Sequence, residues 1–181
     1  YAQILEASGN QRKAEKAINT MLAQKPNDSS AINLAARYAL ASNNSKLAQE
    51  RFIQSVETKP ENPEALANLA SLSMQQGDYQ QALTYFNKLI VIAPNNPGGY
   101  KGIVNAMEAN GQGDDAINKL IVIADLENKI QPTAAAVAAE YYLRKNDTPA
   151  AIPLIEKAIA ADQSPYIKSI AFQTGVAKAG E

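Results

Sequence analysis

Five alanines in one frame constrain this chain more than any motif does. Counting 34 residues either way from Ala82 in "GDYQQALTYF" reaches Ala48 and Ala14 behind it and Ala116 and Ala150 ahead. Other columns keep the same frame. Four residues after each alanine stand Ile18, Phe52, Phe86, Leu120 and Leu154, and eight after stand Leu22, Val56, Ile90, Ala124 and Ala158. Before the alanines, Ala35, Leu69, Ile103 and Val137 are each followed by a small residue, Ala36, Ala70, Val104 and Ala138. A period of this size, held without a gap, marks an array of small units that bury their apolar faces against one another.

Each unit reads as two helices. The segment 63–75 sets Leu66, Leu69, Ala70 and Ser73 on one face at three-four spacing, and 79–92 does the same with Ala82, Phe86, Leu89 and Ile90. Gly9, Asn43, Gly77 and Gly111 stand where the first helix must stop, in residue types that tolerate the left-handed conformation. Pro60 and Pro94 end the second helix, and "PNDSS", "PENPE" and "PNNPG" supply turns and caps.

These residues resemble the tetratricopeptide (TPR) repeat family, most fully in Leu66, Leu69, Ala70, Gly77, Tyr79, Ala82, Phe86 and Pro94. The resemblance implies an all-α protein, a right-handed α-solenoid of antiparallel helix pairs. It divides the chain into a partial repeat (1–28), four full repeats (29–62, 63–96, 97–130 and 131–164) and a terminal unpaired helix (165–181), a piece of a longer array. Pro153 falls inside a second helix, where a kink is expected. "NKLIVIA" recurs at 87–93 and 118–124, an offset of 31. That frame would place Ala82 on Gly113 and has no third copy, so shared amphipathic composition accounts for it.

Composition narrows the chemistry. The chain has neither cysteine nor histidine, which removes thiolate nucleophiles, the usual zinc ligands and the commonest general acid/base. No catalytic, metal-ligating or cofactor-binding residue is singled out, and no cofactor is expected. Seventeen basic against 18 acidic residues leave no electrostatic footprint for a nucleic acid. The longest apolar runs, "LIVIA" at 89–93 and 120–124, fall far short of the roughly 20 residues of a membrane-spanning helix, and any export signal or anchor is expected outside this sequence.

"GQGDDA" at 111–116 matches part of a dinucleotide-binding fingerprint. Such a loop needs a strand before it, whereas "GGYKGIVNAMEAN" has helical period, and Asp114 and Asp115 would put charge where phosphates belong. As the start of a second helix the same aspartates suit the helix dipole.

What remains is the surface that stacking creates. The resemblance implies a concave groove lined by first helices, binding a peptide or partner protein. Asn33, Arg37, Asn68, Ser71, Lys101 and Asn105 are its inward-facing candidates, with Arg37 and Lys101 placed to meet an acid. Ala135, Ala136, Ala139 and Tyr142 make a shallow apolar end. One TPR subclass grips a chaperone's C-terminal carboxylate with spaced Lys, Asn and Arg. Lys101 and Asn105 reproduce its first element, but Ala136, Tyr166 and Ile170 stand where the rest is required, so no chaperone-tail receptor is expected. In the last helix Ile167, Ile170, Phe172 and Val176 lack a second helix to cover them, a face open to self-association.

The function expected is that of a non-catalytic scaffold. Richness in asparagine, glutamine and alanine gives it the texture of large bacterial envelope TPR proteins of exopolysaccharide export and protein sorting, which favours a periplasmic or outer-membrane-anchored setting over the cytoplasm. The alternative is a regulatory or substrate-recruiting arm of an enzyme whose catalytic domain lies elsewhere.

Overall fold

The computed structural model describes residues 11–125 and 131–176, and Gly9 lies outside them. Among the described residues there are ten helices and no strand: α1 (Gln11–Gln24), α2 (Ser29–Ala41), α3 (Ser45–Thr58), α4 (Pro63–Gln75), α5 (Tyr79–Ile92), α6 (Pro97–Ala109), α7 (Gly113–Ala124), α8 (Pro132–Arg144), α9 (Thr148–Ala161) and α10 (Pro165–Thr174).

Most of the helix boundaries have a local cause. Asp28, Asn44, Asn62, Asn96 and Asp147 stand at N-caps and accept backbone N–H bonds from Ala31, Leu47, Ala65, Gly98 and Ala150. Pro63, Pro97, Pro132, Pro149 and Pro165 lie in first turns, where a missing N–H costs nothing. The first helices end in left-handed residues: Asn43, Gly77, Gly111 and Asn146 have φ of 57°, 75°, 75° and 60°. Each turn closes alike, as when Gln112 N–H donates to Met107 O at 2.8 Å and Gly111 N–H to Glu108 O at 3.0 Å. These two bonds satisfy carbonyls that the helix end would otherwise leave open.

The chain forms two compact units, Tyr1–Asp78 and Tyr79–Glu181. In the first, α1 packs on α2, α2 on α3 and α3 on α4. Ile32, Ala36, Ala48 and Phe52 are buried in it. Ser29, the fully buried Ser55 and Asn62 form a polar clasp: the two hydroxyls lie 2.9 Å apart, and Asn62 Nδ2 donates to both at 3.0 and 2.9 Å.

In the second unit the neighbours in sequence from α5 to α10 pack together, and α8 also touches α6 and α10. Glycines let α6 approach α5 closely. A Cβ at Gly99 would lie 2.8 Å from Ile90 Cγ2, and one at Gly102 would lie 2.2 Å from Phe86 Cε1. α9 runs as one helix through Pro153, so the residue that lacks a donor does not end it.

Two sequence expectations shift. The helix frame keeps 34 residues from Asn62 to Asn96 but takes 35 from Asn96 to Gln131, the N-caps of α6 and α8, and from Gly111 to Asn146. Ala14, Ala48, Ala82 and Ala116 are fully buried as the period requires, but their counterpart is the fully buried Ala151, not the partly exposed Ala150. Likewise Ile155, not Leu154, is fully buried. The extra residue lies between Ala124 and Gln131.

The "NKLIVIA" offset of 31 differs from 34 by three residues, nearly one helical turn, so its copies present the same face. Val91 and Val122, equivalent within them, are accordingly both exposed, 77% and 66%.

Candidate functional site

The ninth residue of each first helix from α2 onward reaches the surface, Glu140 half-buried and the other four exposed. In the first unit it is Arg37 on α2 and Ser71 on α4. In the second it is Asn105, Glu140 and Gln173 on α6, α8 and α10. The last three line one cavity of about 410 Å³, which Val104, Val137 and Leu143 face with apolar side chains. Lys101 and Arg144 add its two cations.

Both cations are already engaged. Lys101 Nζ lies 2.8 Å from each carboxylate oxygen of Glu140 and 4.9 Å from the centre of the Tyr166 ring. The Tyr166 hydroxyl donates to Glu140 Oε2 at 2.5 Å. Burial, then the hydrogen bond and negative charge of Glu140, push the Tyr166 phenol well above its usual range, so it remains a donor. Arg144 Nη2 sits 3.2 Å from Glu108 Oε2, and its guanidinium lies 5.3 Å from the Tyr141 ring centre. α6, α8 and α10 are thus joined by charge as well as by apolar packing.

In the first unit Arg37 pairs with Glu64 of α4 at 3.5 Å. Asn68 Nδ2 donates to Glu64 O at 2.8 Å, and Ser71 Oγ donates to Ala67 O at 2.9 Å. The acids that Arg37 and Lys101 meet therefore come from this chain itself. Asn33 is only 4% exposed and its Oδ1 finds no partner among the described residues, so it presents almost no surface. Of the six sequence candidates, Arg37 and Asn68 meet at Glu64, while Lys101 and Asn105 share the cavity of the second unit.

Ala135, Ala136 and Ala139 are fully buried and make no groove end. Glu140 holds the position that the uniform 34-residue frame gives to Ala139, which is why it was missed; admitting the extra residue before α8 would have found it. In α10, Ile167 and Ile170 are buried and Phe172 is 59% exposed, while Val176, beyond the helix end, is half-buried, so the uncovered face reduces chiefly to Phe172.

Around "GQGDDA" a helix, α6, precedes the glycines, and the helix after them starts at Gly113 with Gln112 at its N-cap and no side-chain capping bond. Glu108, Asp115 and Lys145 line the surface there, two carboxylates against one ammonium, which disfavours a phosphate. Among the described residues no cluster of acidic groups could hold a metal ion, and no helix is long and apolar enough to cross a membrane.

Helix–turn–helix pairs with close small-residue contacts define an all-α repeat protein of the solenoid class. Residues 33–97 match the tetratricopeptide repeat family model, and no curated protein matches the chain. Residues 33–97 thus carry tetratricopeptide repeats, and solved structures share the fold of the chain. MamA is 17% identical with a TM-score of 0.61, the match covering 88% of this chain and 93% of MamA. PilF of Pseudomonas aeruginosa is 15% identical with a TM-score of 0.61, covering 97% and 80%. YrrB, described as a TPR protein with an unusual peptide-binding site, is 16% identical with a TM-score of 0.58, covering 95% and 88%. At these identities the likeness is one of fold. Tetratricopeptide arrays are in general non-catalytic scaffolds for protein interaction.

Proposed function

We propose that this protein is a non-catalytic scaffold that takes a peptide or a segment of a partner protein on the face formed by its first helices. The observation that carries this is the cavity between α6 and α8, where Asn105, Glu140 and Gln173 stand at equivalent helix positions above an apolar floor. Its volume suits a side chain with part of its backbone. Lys101 and Asn105 belong to this face in the second unit; Arg37, Asn68 and Ser71 form its counterpart in the first. A bacterial envelope setting for the partner, secretion or exopolysaccharide export, is proposed from composition.

Selection from a random peptide library tests this. Peptides retained by the wild-type protein should lose at least about tenfold in affinity on Asn105→Arg, which fills the cavity, and nothing on Asp115→Arg, an exposed change on α7. Equal losses, or none, would contradict it. Self-association is proposed through the exposed Phe172, and an unchanged sedimentation coefficient at high protein concentration in wild type and Phe172→Glu would dismiss it.

A further inference from the structure

We infer that Glu140 sets what the α6–α8 cavity accepts: by neutralising Lys101 it makes the cavity a seat for an uncharged apolar side chain and turns acidic ligands away. This rests on the proposed peptide site and specifies its ligand.

The inference follows from counting charges and hydrogen-bonding groups at the cavity wall. Lys101 is an ammonium with three donors and no acceptor, and standing alone over an apolar floor it would attract a carboxylate. It does not stand alone. Glu140 meets it with both oxygens, and Tyr166 donates to one of them, so the carboxylate is fixed on two sides and stays beside the ammonium. Tyr166 also places its ring against Lys101, adding a cation–π contact. The second cation, Arg144, has Glu108 as its acid. An incoming carboxylate would have to displace one of these acids or sit beside it, and like charges brought together in a partly dehydrated site repel strongly. Val104, Val137 and Leu143 offer no such objection to a leucine- or phenylalanine-sized group. Tyr166 comes from α10, so this helix acts as a positioning element for the site.

Two labelled, end-blocked peptides serve as probes in fluorescence anisotropy, one with four consecutive aspartates and one with a Phe-Leu core, both flanked by glycine. Glu140→Gln keeps size and hydrogen-bonding capacity while removing the charge. It should raise the ratio of aspartate-peptide to Phe-Leu-peptide affinity about tenfold, more in low salt. Lys101→Met in the Glu140→Gln background should abolish that gain, because the freed ammonium is its source. Tyr166→Phe, which leaves both charges in place, should produce no gain. An equal ratio in wild type and Glu140→Gln would overturn the inference. So would a gain that survives Lys101→Met, or one matched by Tyr166→Phe, since loosening rather than charge would then be the cause. Far-UV circular dichroism confirms that each variant is folded. If the Phe-Leu peptide and all library peptides fail on the wild type, the peptide site itself is refuted; the aspartate comparison is a separate result.

Discussion

Phe86 fills the space where Gly102 lacks a side chain: a Cβ on Gly102 would lie 2.2 Å from Cε1 and 2.4 Å from Cζ of the ring. Glycine inside a helix ordinarily costs about 1 kcal/mol against alanine, so the close approach of α5 and α6 must offset that cost. Gly102→Ala should therefore destabilise the protein by about 1–3 kcal/mol despite its better helix propensity. Gly113→Ala, whose Cβ would make an ordinary 3.5 Å contact with Glu108 Cγ, should be neutral or stabilising by up to about 1 kcal/mol. Urea unfolding of the two variants compares them, and equal effects would refute the close-packing account.

The extra residue before α8 gives a second test. Ala151 is fully buried and Ala150 is partly exposed. Arginine at 151 should cost more than about 3 kcal/mol, and arginine at 150 clearly less. The opposite order would restore the uniform 34-residue frame.

Asn62 does two jobs at once. It caps α4 through Ala65 N–H and donates to the hydroxyls of Ser29 and Ser55. Asn62→Ala should cost about 2–3 kcal/mol, because it removes a cap and strips a donor from a buried pair of hydroxyls. Asn96→Ala, where the cap bond to Gly98 N–H is the bond observed, should cost about 1 kcal/mol. Chemical denaturation checks both.

The Tyr166 phenol titrates well above its ordinary value of 10.0, chiefly through burial and then through Glu140, and burial also raises Tyr100. The folded state therefore keeps these protons at a pH where the unfolded chain loses them. Their contribution to stability is complete below about pH 10 and declines as pH rises further. Tyr166→Phe should make the alkaline loss of melting temperature shallower than in the wild type, and an identical decline in both would contradict the assignment.

The sequence made the helix pairs legible because two signals agreed: alanine columns fixed the period, and Asn43, Gly77 and Gly111 fixed the turns, all three adopting positive φ. The register beyond Ala124 was not legible. Adjacent alanines at 150 and 151 satisfy either frame, and the alanine-rich run from 134 to 139 hides a shift of one residue. That shift concealed Glu140 and Gln173 from the candidate set.

Lys101 was legible as a surface charge, but its partner lies 39 residues on, in another first helix, and pairing at that range depends on how the helices lie. Asn33 failed for a related reason. Its position in the helix pattern is shared by Ala136, which is also buried, and polarity alone did not reveal that this position faces inward in some units.

The claim on which the rest depends is that ligands are taken on the first-helix face. A photo-reactive phenylalanine analogue placed at Gln173, exposed on the rim of the cavity, or alternatively at Val122 on α7, tests it with any peptide selected on the wild type. Strong cross-linking is expected from 173 and background levels from 122, although Val122 is a conspicuously exposed apolar side chain. Cross-linking from 122 with none from 173 would place binding on the second helices and contradict it.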